Sequence, residues 1–274
     1  MEKLLTLIAC KFTRSLKSLL QDLRKQTKKK IKHHLYGIQS VKKDFSTGTW
    51  LRHAKKKIKE IRKRNRIPIL VGGTGLYFKS LIDGLVIIPN IPKKFRNKIR
   101  SLQNKFGQKN FYNKLLKLDP KIINYVKSND VQRSIRAYEI KKYTKLSILD
   151  WFKKTKKTFH QDEFVKIYID FPRQKLLTRI SKRIDQMLKE KMINEVIRFN
   201  KLKVKKDKSA NKVIGIQEIN SYIKGINTME DTKEKILIKT RQYAKRQMTW
   251  ARGQMQTWKK LDAENLNAYV KNIS

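Results

Sequence analysis

An apolar run followed at once by three glycines constrains the fold of this chain more than any other stretch. Its sequence is Ile67-Pro-Ile-Leu-Val-Gly-Gly-Thr-Gly-Leu-Tyr77. The unbroken apolar run predicts a short strand buried on both faces, as in a parallel sheet. The glycines allow a sharp turn into a helix over residues 75–83, which Thr74 can cap with its hydroxyl. We therefore expect an α/β fold built around this strand, turn and helix.

The turn after this strand also suits a phosphate group. A strand-to-helix turn presents free backbone N–H groups and the positive end of the helix dipole. Gly72, Gly73 and Gly75 would let a ligand approach the backbone closely. Plain turn chemistry is the commoner reason for such a sequence, so at this point an anion site is a hypothesis.

The charge of the chain indicates what kind of partner it has. Its 274 residues include 68 Lys and Arg against 22 Asp and Glu, a net charge of +46. So large an excess favours a polyanionic partner, with nucleic acid as the first candidate. Part of the excess has another explanation, because Lys, Asn and Ile are all heavily used, as in an AT-rich genome. The length suits one large domain or a core with a smaller insert.

The cysteine content and the hydropathy of the sequence limit the cellular compartments in which the protein is expected. Cys10 is the only cysteine, which excludes a disulfide framework and a cysteine metal site and fits a reducing cytoplasm. The sequence has no apolar run long enough to cross a bilayer. We therefore expect a cytoplasmic protein with no membrane partner.

Outside the central stretch, the hydrophobic periodicity predicts mostly helices. Alternation over residues 164–169 predicts a second strand. Thr228 begins a long basic helix with a capping pattern that extends to Asp231. The predicted helical ranges are 50–64, 75–83, several short segments within 93–152, 174–199, 211–224, and 228 to about 260.

Six motifs occur in order along the chain, and together they resemble one known family. They are Val71-Gly-Gly-Thr-Gly-Leu-Tyr77, Leu118-Asp-Pro120, Asp130-Val-Gln-Arg-Ser-Ile-Arg-Ala-Tyr-Glu139, Arg179-Ile-Ser-Lys-Arg-Ile-Asp-Gln-Met-Leu188, Ile214-Gly-Ile-Gln-Glu218 and Thr240-Arg-Gln-Tyr-Ala-Lys-Arg-Gln-Met-Thr-Trp250. The set resembles the tRNA dimethylallyltransferase (tRNA isopentenyltransferase) family over residues 30–253 without a gap. Each motif is weak alone, but six in order make the resemblance specific.

The resemblance implies a fold and a reaction. The fold would be α/β, with a P-loop-kinase-like parallel sheet core and a mostly helical insert. The core would comprise residues 30–92 and 160–274 and the tRNA-binding insert residues 93–159. Family members use Mg²⁺ to transfer a dimethylallyl group from dimethylallyl diphosphate to adenine N6 beside the anticodon of tRNA. The expected partners are therefore the tRNA anticodon stem-loop and dimethylallyl diphosphate, bound by a monomer; the ligands of the metal are left open.

The resemblance assigns catalysis and diphosphate binding to the glycine turn. Thr74 matches a family threonine near the reacting centre, where its hydroxyl could hold a phosphate oxygen or the metal. The alternative for Thr74 is a helix cap. Gly72, Gly73, Thr74 and Gly75 together are the expected diphosphate-binding residues.

The resemblance also implies a set of tRNA-binding residues. Arg133 and Arg136 are three residues apart and lie on one face of a predicted helix, as a phosphate or base-edge clamp requires. The alternative for such a pair is a solvated surface, and for Trp250 core packing is as plausible as contact with a base. The complete set is Arg96, Gln132, Arg133, Arg136, Lys212, Gly215, Gln217, Lys245, Arg246, Gln247, Trp250 and Arg252.

A pair of adjacent histidines, His33-His34, matches a family H-H-L. Neighbouring side chains on a strand point to opposite faces, so the two imidazoles cannot easily bind one metal ion. We therefore expect a structural role for this pair.

The N-terminal segment departs from the family pattern. Family members open with a strand, a P-loop and a second strand that ends in D-S-x-x-x-Y, whose aspartate is the expected base. At that place this chain has Leu7-Ile-Ala-Cys-Lys-Phe-Thr13. In a shifted frame the codons of residues 8–13 permit Asp, Ser, Met, Gln, Val and Tyr in order. We therefore predict that residues 1–29 are out of frame or disordered; the alternative is coincidence helped by codon freedom.

Two functions remain open at this stage. The first is tRNA prenylation. The second is a catalytically impaired tRNA-binding remnant, because without a P-loop and the aspartate we expect very slow transfer. The absence of the first strand would also leave the central strand without a neighbour and make the protein prone to aggregate.

Overall fold

The chain folds into two compact units. The computed structural model describes residues 5–9 and 32–271. One unit comprises Met1–Ser80 and Asp162–Ser274, and the other comprises Leu81–Gln161. We call the first the α/β unit and the second the helical unit. The α/β class predicted from the sequence is confirmed.

A small parallel sheet organises the first part of the α/β unit. It contains β1 (Leu5–Ala9), β2 (His33–His34) and β3 (Ile67–Val71), in the order β2-β1-β3. β1 pairs along the whole of β3, from Leu5 opposite Ile67 to Ala9 opposite Val71. The expectation that β3 lacks a neighbour is therefore wrong. Residues 1–4 and 10–29, the rest of the segment predicted to be out of frame or disordered, lie outside the described part of the chain.

The central strand β3 is less buried than its apolar sequence predicts. Ile67 and Val71 are 39% and 49% exposed, and the three residues between them are half-buried. In the described sheet β3 occupies an edge position and pairs with β1 alone. The prediction of a strand buried on both faces is wrong, because an apolar run does not distinguish a central strand from an edge strand.

Helix α1 (Thr47–Arg62) packs beside this sheet. Ser46 caps it by accepting a hydrogen bond of 3.1 Å from the Thr49 backbone N–H. Its buried residues are Trp50, Leu51, Ala54, Ile58 and Ile61, and Trp50 is fully buried. The Trp50 ring stacks on Tyr77 at a centroid distance of 4.7 Å. This stack links α1 to α2 (Gly75–Ile82), the helix that follows β3.

Four helices form the main apolar core of the α/β unit. They are α6 (Arg173–Glu190), α7 (Met192–Lys201), α8 (Ile216–Ile223) and α9 (Met229–Gln254), with a 3₁₀ turn at Ser209–Lys212. The helix predicted over 174–199 is broken at Lys191, whose backbone (φ −157, ψ 9) is not helical. As predicted, α9 begins with a capping box, in which Thr228 and Asp231 exchange two hydrogen bonds of 3.1 Å. The buried core residues are Val41, Ile180, Ile184, Met192, Val196, Phe199, Ala210, Ile216, Ile219 and Ile236.

The C-terminal part of the α/β unit contains a second parallel pair of strands. β4 (Ile167–Asp170) pairs with β5 (Lys259–Asp262), and α10 (Leu266–Lys271) follows. Helix α9 therefore ends at Gln254 and does not reach residue 260. The prediction was wrong here because the strand pairing, which is a long-range contact, overrides the local helical pattern.

The helical unit has its own core. It contains α3 (Lys93–Leu118), α4 (Val131–Thr144) and α5 (Ile148–Lys153), with 3₁₀ turns at Pro120–Ile122 and, at the border of the two units, Gln161–Glu163. The Tyr112 hydroxyl donates a 2.7 Å hydrogen bond to the carbonyl of Val126 inside this core. Ile91 packs in the same core, so the unit begins before residue 93. The buried core residues are Ile91, Tyr112, Leu115, Ile122, Val126, Ala137, Ile140 and Ile148.

None of the helices in the described part of the chain combines the length and apolar character needed to span a membrane.

Gly107 bends helix α3 and provides a test of the fold. Its φ of 69 and ψ of 166 lie in a region that only glycine adopts at low cost. No atom lies within 4 Å of a β-carbon built at this position, so a substitution there tests backbone strain alone. We expect Gly107→Ala to lower the free energy of unfolding by about 1–3 kcal/mol, measured by denaturant titration.

Gly253→Ala is the matched control for Gly107→Ala. Gly253 lies within α9, has an ordinary negative φ and also has open space around the added carbon. Alanine should stabilise the protein there by about 0.4–1 kcal/mol. Equal effects of the two substitutions would contradict the assignment of strain to Gly107.

Candidate active site

The glycine turn after β3 is the first part of the candidate site. The Thr74 carbonyl accepts a 3.0 Å hydrogen bond from the Tyr77 N–H, which begins α2. Thr74, predicted as a helix cap or a phosphate ligand, is the residue immediately before α2. It is half-buried at the N-terminal end of α2, so it can donate to an anion held by the free N–H groups there.

Helix α9 packs directly on this turn. The Gln247 side-chain amide donates a 2.9 Å hydrogen bond to the Gly73 carbonyl. The six-membered ring of Trp250 covers Gly75 so closely that a β-carbon at Gly75 would lie 2.0 Å from it. The structure shows the packing role of Trp250, and contact of its half-buried ring with a base stays a prediction. Gly75 therefore has a packing reason to be glycine, apart from any ligand.

The rest of α9 near the turn presents basic side chains to solvent. Lys245, Arg246 and Arg252 are all exposed, whereas Gln247 and Trp250 are half-buried against the turn. The Arg246 guanidinium lies 5.9 Å from the centroid of the Tyr243 ring. Packing on one face and positive charge on the others let α9 bind a polyanion beside the glycine turn.

The segment before α8 carries the Ile214-Gly-Ile-Gln-Glu218 motif. Gly215 has a φ of 103, a conformation that other residues adopt only with strain. The buried Glu218 accepts a 2.8 Å hydrogen bond from the Gly215 N–H and forms an ion pair with Lys239 of α9. Lys212 and Gln217, two of the predicted tRNA-binding residues, are exposed on either side. The buried acid therefore ties this segment to α9.

In the helical unit, Asp130 holds Arg133 at the start of α4. One carboxylate oxygen of Asp130 caps the helix by accepting from the Arg133 N–H at 2.9 Å, and the other contacts the Arg133 guanidinium at 2.9 Å. The Arg133 side chain is nevertheless 64% exposed, and Gln132 beside it is exposed too. Both can therefore contact a ligand from solvent.

Arg96 and Arg136 come together around a residue that the sequence analysis did not single out. Arg96 lies on α3 and Arg136 on α4, and each places a nitrogen near the same oxygen of Glu139, at 3.4 and 3.3 Å. Glu139 is only 1% exposed. The signal in the sequence was an acid three residues after Arg136, one helical turn away in a strongly basic chain.

The candidate site residues thus form two groups, each within its own unit. In the α/β unit the structure brings Gly73 and Gly75 together with Gln247 and Trp250. In the helical unit it brings Arg96 and Arg136 together, whereas Arg133 pairs separately with Asp130. Gly72, with its neighbours in the turn, remains exposed.

A metal site is not formed by the described residues. Among them, no group of three or more His, Cys, Asp or Glu side chains could hold an ion. His33 and His34 form β2, and His33 packs edge-on against Tyr36. Burial, and then the charge of Lys57, lower the pKa of His34, whose Nε2 atom is buried without a hydrogen-bond partner. These groups do not fit a resident magnesium ion, which requires several oxygen ligands.

The contact between Gly75 and Trp250 can be tested by adding one methyl group. We expect Gly75→Ala to destabilise the protein by about 1–3 kcal/mol, because the new carbon would overlap a large ring on another helix. Denaturant unfolding measures the loss. Gly73→Ala is the control, since its new carbon meets only the flexible end of Gln247. A Gly75→Ala variant as stable as wild type would contradict this packing.

The Glu218–Lys239 pair predicts a dependence of stability on pH. Burial alone would raise the pKa of Glu218, but hydrogen bonds from Lys239 and from backbone N–H groups outweigh it and lower the pKa below 4.5. The pair therefore stabilises the fold above about pH 4.5, and this stability is lost as the pH falls through the folded pKa. At pH 7 we expect Glu218→Gln to cost about 1–2 kcal/mol.

Thermal unfolding from pH 7 to pH 3 tests this prediction. The difference between wild type and Glu218→Gln should shrink as the pH falls below 4.5. Glu264→Gln is the control, because Glu264 also forms an ion pair, with Lys175, but on the surface, where such pairs contribute little. A difference that stays constant over this range would exclude ionised Glu218 as its source.

Comparison of the sequence with known proteins indicates the same family as the six motifs. The chain is 55% identical over 260 residues to the tRNA dimethylallyltransferase of Pelagibacter ubique, covering 95% of this chain and 83% of that protein. It is 38% identical over 250 residues to the tRNA dimethylallyltransferase of Rickettsia massiliae, covering 91% and 69%.

Solved structures of similar fold agree with the sequence comparison. One is the full-length tRNA isopentenylpyrophosphate transferase of Bacillus halodurans, with a TM-score of 0.64 and 28% identity, covering 94% of this chain and 81% of that one. Another is a eukaryotic dimethylallyltransferase acting on tRNA, with a TM-score of 0.80, covering 98% and 71%. Its identity of 23% supports the fold alone.

The family match extends over both units. It covers residues 18–254, so it begins earlier than residue 30, where the motif resemblance started. It also includes the glycine turn, the helical unit and α9. Together with the identity to the Pelagibacter protein, this match confirms the family predicted from the motifs: the chain belongs to the IPP transferase family.

Proposed function

We propose that this chain transfers a dimethylallyl group from dimethylallyl diphosphate to N6 of an adenosine next to the anticodon of tRNA. The observation that carries the proposal is the family match through both units, which includes the glycine turn and the two groups of basic residues. The identity of 55% over 95% of the chain favours a transferase over a binding remnant.

The glycine turn is the proposed diphosphate site. The N–H groups of Gly75 and Leu76 come before the first hydrogen bond of α2, which Tyr77 donates to Thr74, and the helix dipole adds positive charge at this end. Gly72, Gly73 and Gly75 supply backbone, and the Thr74 hydroxyl supplies one further donor. Since α9 already covers Gly73 and Gly75, the diphosphate would lie on the exposed side of the turn, near Gly72 and Thr74.

The proposed reaction moves one carbon from oxygen to nitrogen. Adenine N6 attacks C1 of the dimethylallyl group, the bond from C1 to the diphosphate oxygen breaks, pyrophosphate leaves and N6 releases a proton to solvent. Negative charge grows on the leaving oxygen, and donors already aimed at it stabilise that charge without reorganising. Thr74 is the residue we assign to this task, as a catalytic residue.

In the proposed reaction the metal ion is bound to the substrate and not to a site made by the protein. Since the described residues provide no cluster of acids or histidines for an ion, we propose that Mg²⁺ arrives bound to the oxygens of the diphosphate. Mg²⁺ commonly binds substrate phosphates and retains several waters, with few protein ligands. When bound, it would neutralise diphosphate charge.

The basic residues are the proposed tRNA surface. Gln132, Arg133 and Arg136, with Arg96, would grip the anticodon stem-loop, and the target base would have to leave the stack before N6 could reach the diphosphate. The basic residues of α9 and the exposed Lys212 and Gln217 would contact the RNA beside the turn. We place this activity in the cytoplasm, where tRNA is modified, and propose that one monomer suffices.

Substitution of Thr74 tests the catalytic part of the proposal. We expect Thr74→Ala to slow prenyl transfer to unmodified tRNA about 10²-fold, because one preorganised donor is lost. Thr74→Ser should restore most of the rate, and the Kd for tRNA should be unchanged in both variants. If the wild-type chain binds tRNA but transfers nothing, the remnant hypothesis replaces the transferase.

Arg133 tests the binding part of the proposal. Arg133→Ala should weaken binding of the anticodon stem-loop more than binding of an unrelated RNA, because the lost contact is specific to the loop. Lys142→Ala is the control, since Lys142 is an exposed cation of the same helix outside the motif. Equal losses on both RNAs would make Arg133 part of a general basic surface.

A further inference from the structure

We infer that Glu139 is a positioning residue that holds Arg96 and Arg136 as one phosphate-binding pair. This inference rests on the proposed function, because it concerns how the helical unit binds RNA. It adds an acidic residue, which cannot itself contact a phosphate, to the RNA-binding surface.

Glu139 is placed where a carboxylate is costly. It is 1% exposed and lies on the buried side of α4, among the core residues of the helical unit. Burying a carboxylate is costly unless charged or hydrogen-bonding partners lie beside it. Among the described residues, Oε1 of Glu139 has no hydrogen-bond partner, and the two arginines lie beside Oε2.

The two arginines, by contrast, remain open to solvent. Their side chains are 42% and 40% exposed, although both reach the same buried oxygen. Each guanidinium has five N–H donors, and only one nitrogen of each lies beside Glu139. Most donors of both groups therefore remain available to a ligand outside.

The contacts with Glu139 position the two guanidinium groups but use few of their hydrogen-bond donors. At 3.4 and 3.3 Å they are longer than the 2.7–2.9 Å of a tight charge-assisted bond. The Arg96 Nε atom is buried and makes no hydrogen bond to another described residue. Because both nitrogens face one oxygen, the two guanidinium groups are neighbours, although they come from different helices. A phosphate of the RNA backbone can accept from both at once.

A substitution of Glu139 can test the inference, because two explanations predict opposite changes in RNA affinity. Glu139→Gln keeps the size of the side chain but replaces a carboxylate with a neutral amide. The net charge of the protein therefore becomes more positive by one. General electrostatics predicts tighter RNA binding for such a variant. A positioning role predicts weaker binding, because the RNA must then order two mobile arginines.

The experiment compares binding of a labelled tRNA anticodon stem-loop and of a single-stranded RNA of equal length, at physiological salt, in the full chain. We expect Glu139→Gln to raise the Kd for the stem-loop about tenfold. Asp150→Asn is the matched control: it adds the same charge to the same unit, at a carboxylate that pairs with Lys121. It should leave binding unchanged or slightly tighter.

A second background separates positioning from a merely structural role. In a chain that also carries Arg96→Ala and Arg136→Ala, Glu139→Gln should cause no further loss of RNA affinity, because nothing remains to be positioned. A loss that persists in this background would assign Glu139 to folding alone. Binding as tight as wild type or tighter in the single variant would also overturn the inference.

Two further measurements decide the role of Glu139 if the Glu139→Gln variant is unfolded or if wild type does not distinguish the two RNAs. If thermal unfolding shows that Glu139→Gln is unfolded, Glu139→Asp replaces it: this variant keeps the charge, but it is too short to reach both arginines and should weaken binding in the same direction. If wild type binds both RNAs equally, the proposed anticodon specificity fails. The effect of Glu139→Gln on either RNA still decides the role of Glu139.

Discussion

The packing of Trp250 on Gly75 is the contact on which the candidate active site depends. A ring from α9 lies where any other residue at position 75 would carry a side chain, and Gln247 binds the Gly73 carbonyl one helical turn earlier. These two contacts fix the C-terminal half of α9 against the turn that follows β3. The basic residues of α9 are therefore held beside the proposed diphosphate site by packing that contains no charge.

Buried carboxylates have a second organising role in this strongly basic chain. With a net charge of +46, most cations have no acidic partner available. Glu218 and Glu139 are both buried, and each pairs with cations that stay largely in solvent. Removing one partner of such a pair is costly because it leaves a charge uncompensated inside the protein. The few acids can thus determine where some of the many bases are ordered.

The two groups of site residues differ in how they are supported. In the α/β unit the support is apolar and backbone contact around a turn, which suits a small, highly charged ligand that must be held in one geometry. In the helical unit the support is ionic, and the arginines keep most of their donors in solvent. That arrangement suits RNA, whose phosphates are contacted from outside and whose affinity depends on salt.

Much of this protein was determined by the sequence alone. The strand and helix around the glycine turn, the capping box at Thr228 and the family all follow from local patterns or ordered motifs. So does the helix predicted over residues 50–64, which the structure places at Thr47–Arg62. These features depend on residues close together in the chain, and such residues have the same neighbours whatever the tertiary structure is.

Only the tertiary structure decided the features that join distant residues. Pairing with β4 ended α9 at Gln254, β1 supplied the neighbour that β3 was expected to lack, and the edge position of β3 left its ends exposed. The packing role of Gly75 needs a ring that lies 175 positions later in the sequence. The partners of Glu139 likewise come from two helices. Local periodicity contains no information about such contacts, because strand pairing and side-chain packing depend on which elements meet in space.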